Sequence, residues 1–182
     1  MQRSSTALAL AITLTAGLGL VSWGGCEPTN QDYMPTQPIA YSHAVHAGEL
    51  QVPCMYCHYS AERGRYAGIP SAQICMNCHA QVLPDHPEIQ KVKASIDSGK
   101  PIAWKRVHKV PDHTFFDHSA HVAANVQCQT CHGDVQTMPR VGQFAPLTMG
   151  WCLDCHRSQP AGPGDTEVGG AHRLSDCVVC HH

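Results

Sequence analysis

Five CxxCH pentapeptides run along this chain: Cys54–His58, Cys75–His79, Cys128–His132, Cys152–His156 and Cys177–His181. On one helical turn, positions i, i+3 and i+4 share a face, so two sulfurs and an imidazole can reach the same flat macrocycle. That is the attachment pattern of c-type haem, with both cysteines bonded to the porphyrin and the histidine as proximal iron ligand. Composition alone would produce roughly 0.05 such motifs by chance. CxxC pairs also build zinc sites or disulfides. Neither use requires a histidine directly after every pair. The expectation is five covalently attached haem c groups, bound through Cys54, Cys57, Cys75, Cys78, Cys128, Cys131, Cys152, Cys155, Cys177 and Cys180. The proximal ligands are then His58, His79, His132, His156 and His181.

Five porphyrins leave about 30 residues of chain for each, too few to build a conventional core. The 182 residues are 6% aromatic and include 13 Pro and 15 Gly. The expected fold is therefore a multihaem cytochrome c: mostly coil with short α-helices wrapped around five haems, and little or no sheet. The formal net charge of −2 gives no basic field for nucleic acid.

The first 26 residues read as an export segment. Arg3 precedes an almost wholly apolar run, Ala7 to Val21. Covalent haem attachment takes place outside the bacterial cytoplasm, so export and the motifs agree. Cys26 stands outside the haem motifs. It is either the lipidated cysteine of a lipoprotein signal, which Gly25 fits and Trp23 does not, or it follows an uncleaved anchor. The span Ala7–Gly25 is barely long enough for an anchor. Simple secretion is a third option. Both leading options tether the haem domain to the periplasmic side of the inner membrane.

Residues 27–40 are polar and punctuated by proline, as in a linker, ahead of a pentahaem domain at 41–182. Within it a repeat appears. Tyr41-Ser42-His43-Ala44-Val45-His46 precedes the first CxxCH by seven residues, and the second follows after sixteen more. Phe116-Asp117-His118-Ser119-Ala120-His121 precedes the third by six, and the fourth follows after nineteen. Residues 41–79 and 116–156 are thus two haem-pair modules. An insert at 80–115 separates them, and 157–182 form a tail carrying the fifth motif. In the insert, Pro87 to Asp97 has helical apolar spacing (Ile89, Val92, Ile96), Pro87 suits a first turn, and Gly99-Lys100-Pro101 is a stop.

Five haems present five distal faces. The two His-x-x-His pairs supply His43, His46, His118 and His121 as distal ligands. His108 is the first choice for the fifth, with Met149 as its rival, and methionine would raise that haem's potential. His86, His113, His172 and His182 read as loop or terminal residues. Lys105, Arg106 and Lys109 form the dense basic cluster, a site for propionates or an acidic partner as readily as a solvated loop. Trp104 and Trp151 could pack on porphyrin or in ordinary burial.

Several blocks resemble the pentahaem cytochrome c subunit of alternative complex III, a quinol:electron acceptor oxidoreductase. They are Ser42-His43, Ala47-Gly48-Glu49-Leu50, Ala67-Gly68-Ile69-Pro70-Ser71, Arg106-Val107-His108, Phe116 to Val122 and Thr148 to Arg157, covering about residues 38–157. The His-x-x-His plus CxxCH units are also similar to the cytochrome c3/c7 class. The resemblance implies an electron-transfer subunit with no catalytic residues of its own. Its donors would be an iron–sulfur subunit and membrane quinol-oxidising subunits, its acceptor a monohaem cytochrome c or a terminal oxidase. It also implies an N-terminal helical anchor. Two alternatives stand beside it. One is the cytochrome subunit of a molybdoenzyme-type respiratory complex. The other is a multihaem reductase of nitrite or another small oxyanion, which would need one iron with an open distal position.

Overall fold

The computed structural model describes residues 29–159 and 173–182. Cys26, the apolar N-terminal run and His172 lie outside that range. Among the described residues, seven short α-helices carry the architecture: α1 (Cys54–Cys57), α2 (Ala72–His79), α3 (Pro87–Ser98), α4 (His118–Ala123), α5 (Cys128–His132), α6 (Met149–Ser158) and α7 (Cys177–Cys180). A π-helical turn spans Ala44–Glu49, and 3₁₀ turns span Tyr59–Glu62, Val135–Thr137 and Arg173–Ser175. Among the described residues there is no strand, only an isolated bridge between Gln31 and Gln143. None of these helices is long and apolar enough to cross a membrane.

The buried apolar residues among those described are Ile39, Ala61, Ile89, Val92 and Ala145. That is far less than a chain of this length needs to fold around its own side chains. In a multihaem fold the porphyrins would supply the missing apolar contacts. Ile89 and Val92 sit on α3, where the helical spacing put them. Pro87 occupies its first turn, and the His86 ring accepts a hydrogen bond from the Glu88 N–H at 3.2 Å. Gly99 ends it in the left-handed region at φ 64°.

The two haem-pair modules interlock reciprocally. The Ala44–Glu49 turn of the first packs on Val135–Thr137, which follows the third motif. Its Ala44 N–H donates to the Met138 carbonyl at 3.1 Å. The approach is so close that a Cβ on Gly48 would collide with the Gln136 carbonyl. Helix α4 of the second module packs on Tyr59–Glu62, which follows the first motif. There the Ser119 N–H donates to the Gly64 carbonyl at 3.2 Å. The Arg65 guanidinium lies over the Phe115 ring at 4.6 Å. Each His-x-x-His element is therefore held by the partner module.

Residues 29–40, expected within a linker, lie along the insert and the segment after α5. Gln37 pairs reciprocally with the Lys105 backbone, at 2.9 and 2.8 Å. Asn30 Nδ2 donates to the Val107 carbonyl and Gln31 Nε2 to the Phe144 carbonyl. Polar, proline-rich composition reports the lack of periodicity; the side-chain amides that dock such a segment leave no periodic trace.

Candidate haem-binding sites

Each CxxCH lies on a short helix: the first, third and fifth motifs open α1, α5 and α7, and the second and fourth enter α2 and α6 one turn in. Side chains cap two of these helices. Thr148 Oγ1 accepts from the Trp151 N–H at the head of α6, and an Asp176 carboxylate oxygen accepts from the Val178 N–H at the head of α7. Asp117 caps α4, accepting from the Ser119 N–H at 2.8 Å and its hydroxyl at 2.7 Å. The Ser119 hydroxyl, foremost, holds that carboxyl below its ordinary range.

Four histidine pairs face one another. The ring centroids are 6.5 Å apart for His43–His58, 6.1 Å for His46–His79, 6.3 Å for His118–His132 and 6.1 Å for His121–His156. A ligating nitrogen lies roughly 2 Å from its metal and about 1 Å from its ring centre, so two imidazoles across one iron sit about 6 Å apart. All four pairs fit. The rings are nearly parallel for His43–His58 (7°) and His118–His132 (13°). They turn to 29° for His121–His156 and 59° for His46–His79. Among the described residues no group of three or more His, Cys, Asp or Glu converges as a zinc site would require. All ten motif cysteines are unpaired.

The aromatic that opens each module has a defined place. Tyr41 stacks on His46 (4.4 Å, 24°) and meets His43 edge-on (4.8 Å, 83°). Phe116 repeats this with His121 (4.5 Å, 31°) and His118 (4.8 Å, 88°). One ring thus fixes two imidazoles. Burial, with Cys57 and Cys75 nearby, pushes the Tyr41 hydroxyl up to about 12.

The outward Nδ1 atoms are also engaged. His58, His79 and His156 place Nδ1 2.8 Å from the carbonyls of Gly68, Val82 and Leu174, and His181 lies 3.0 Å from that of His113. In the His-x-x-His pairs, His46 reaches the Ser42 carbonyl, His118 that of Arg65, and His121 that of Asp117, at 2.7–2.8 Å. Donating Nδ1–H to a carbonyl leaves Nε2 free for iron. His43 Nδ1 is buried without a partner. Burial foremost, then neighbouring imidazoles, drives His43 and His132 down to about 4, which keeps both rings neutral as iron ligation requires.

The fifth motif differs. His108 stands beside His132, its Nε2 3.1 Å from His132 Nδ1, rather than across from His181. His113 lies next to His181, with centroids 5.3 Å apart and planes at 23°. That gap is shorter than the four facing pairs, and the His113 carbonyl serves the Nδ1 side of His181. No periodic signal marked His113; a fold-back of 68 residues brings it there. Met149 opens α6 and is 60% exposed. It is one turn ahead of Cys152, and Cys152 neighbours Cys180 of the fifth motif. His182 stacks on Phe115 at 4.3 Å, and His86 caps α3.

Cysteine neighbourhoods order the motifs in space. Burial and then Cys75 and Cys78 push the Cys57 thiol up; burial and then Cys54 push up Cys128. Burial raises Cys131 with Cys155 beside it, and Cys152 with Cys180 beside it. The cysteine neighbours thus link the second motif to the first, the first to the third, the third to the fourth and the fourth to the fifth.

Comparison with known proteins agrees with this geometry. Residues 114–182 match the family described as cytochrome c7 and related cytochrome c. The chain is 30% identical over 166 residues to the menaquinone reductase, multiheme cytochrome c subunit, of Nitratidesulfovibrio vulgaris, with 80% of this chain and 76% of that protein covered. At that identity and coverage, the chain belongs to the multihaem c-type cytochromes.

Proposed function

We propose that this chain is a membrane-tethered, periplasmic pentahaem cytochrome that relays electrons within a quinone-linked respiratory complex. The observation that carries it is the facing of each His-x-x-His imidazole and a motif histidine at 6.1–6.5 Å, four times over. Haem attached at these motifs supplies a one-electron iron couple, and its potential follows from the axial ligands and their hydrogen bonds. The protein's part would be to supply ligands on both faces of each haem. His43, His46, His118 and His121 would hold four of them opposite His58, His79, His132 and His156. For the fifth, His181, we assign Met149 as the partner: His108 is engaged at His132, and Met149 lies on the α6 face whose Cys152 borders Cys180. With both positions held by side chains, a small oxyanion has nowhere to bind, which argues against the reductase alternative.

The spatial order of the attachment points supports a relay. The modules meet through their first motifs, so the second and fifth lie at opposite ends of the series. The resemblance to the alternative complex III subunit supports a role between quinol-oxidising membrane subunits with an iron–sulfur subunit and a monohaem cytochrome c or terminal oxidase. The N. vulgaris relative, named as part of a menaquinone reductase, supports the opposite direction of flow through a similar complex. A molybdoenzyme-type assembly would employ the same relay.

Membranes containing the complex decide the direction. A menaquinol analogue should reduce the c-type haems within the turnover time if quinol is the donor. Pre-reduced haems should instead be reoxidised by a menaquinone analogue if quinone is the acceptor. Exchange with neither, together with reoxidation by nitrite, would overturn the proposal.

A further inference from the structure

Of the five proximal histidines, four direct Nδ1 at a backbone carbonyl. His132 departs from that rule. Its Nδ1 lies 3.1 Å from Nε2 of His108. With its Nε2 holding iron, His132 would carry its proton on Nδ1 and donate it, so His108 would accept through Nε2 and hold its own proton on Nδ1.

His108 is fixed from both sides. The carbonyl of Val107, before it, accepts from Asn30 Nδ2 at 2.8 Å. The N–H of Lys109, after it, donates to Gln143 Oε1 at 2.8 Å. Gln143 is 2% exposed, and its Nε2 donates to the Ala145 carbonyl at 3.0 Å. The His108 carbonyl itself accepts from Arg106 Nε at 3.0 Å. A loop imidazole free in solvent needs no such bracket, and the buried amide ties this stretch of backbone to the segment at Ala145.

We propose that His108 is a positioning residue for the third haem site: an imidazole acceptor that orients the proximal His132 and makes it a stronger donor to iron than the four carbonyl-bonded histidines. The proposal rests on the axial pairing of His132 with His118 given above. A basic nitrogen pulls harder on the Nδ1–H than an amide oxygen does, increases the imidazolate character of His132 and stabilises the ferric state. The third site is thereby set to a lower potential than carbonyl bonding would give it. In the spatial order of the motifs it is the middle position.

The test is a redox titration of the full, haem-loaded protein, followed by visible absorption and electron paramagnetic resonance, in wild type, His108→Leu and His108→Gln. In His108→Leu one of the five waves should move to higher potential by about tenfold in its reduction equilibrium, equal to about 59 mV for one electron, while the other four hold. The low-spin signal of that site should shift with it. His108→Gln, whose Oε1 can accept, should return the wave most of the way. If His108→Leu fails to mature, Asn30→Ala loosens the same bracket and should shift the same wave in the same direction. An unmoved titration, a glutamine variant no different from leucine, or a new high-spin haem in His108→Leu would each overturn the proposal, the last by making His108 an axial ligand. A high-spin haem already present in wild type would instead overturn the saturated-iron reading beneath it.

Discussion

Gly133 follows directly on His132 and closes α5 with φ 70° and ψ −167°. That region of backbone space belongs almost wholly to glycine. An added Cβ would also stand 2.7 Å from Cγ and 2.9 Å from Cβ of Phe144. The nearer atom could swing away, since Phe144 is 57% exposed. Its Cβ could not move without the backbone. Gly133→Ala should therefore combine a conformational cost of about 1–3 kcal/mol with an overpacking cost of about 1–2 kcal/mol, or about 3 kcal/mol together. For a domain of this size that is a fall of about 6–12 °C in Tm. The assay is thermal unfolding of the haem-loaded protein followed in the Soret band. Gly150→Ala is the control: Gly150 lies inside α6 with open space at its Cβ position. It should gain about 0.5–1 kcal/mol from helix propensity alone. Equal behaviour of the two variants would refute the claim that the end of the third motif is fixed by backbone geometry.

Replacing Phe116 by leucine removes two ring contacts at once, on His118 and His121. It should cost about 1–3 kcal/mol in unfolding free energy, measured by denaturant titration, and broaden the low-spin signals of two haems but not five. Gln143→Leu orphans the Lys109 N–H and the Ala145 carbonyl; a loss of about 2–4 kcal/mol is expected in the same measurement. Met149→Leu should abolish the near-infrared charge-transfer band of a methionine-ligated ferric haem and leave one haem high-spin. Absence of that band in wild type would remove Met149 from the axial set. The 59° ring angle of His46–His79 predicts the most axial low-spin signal for the second haem, so His46→Ala should delete that signal first.

Much of the site was legible because its chemistry is local. A CxxCH needs one helical turn, so its five cysteine pairs and histidines can be read without knowing the fold. The aromatic-x-His-x-x-His repeat is also local, and the Tyr41 and Phe116 contacts give it a physical basis. Helix α3 announced itself through Pro87, Ile89, Val92 and Gly99. What the sequence concealed depends on distant backbone. The carbonyls that serve His58, His118, His156 and His181 lie ten to 68 residues away. The docking of residues 29–40 rests on single amide side chains without a pattern. His108 had the right residue type for a ligand, and only the fold places its Nε2 3.1 Å from His132 Nδ1.

The central claim is that every iron is held on both sides by the protein's own side chains. Spin quantitation by electron paramagnetic resonance of the fully oxidised protein tests it directly. Five low-spin ferric haems per chain, unchanged by added cyanide, is the predicted result. A high-spin signal in wild type, or a cyanide-shifted haem, would show an open coordination site and contradict the account.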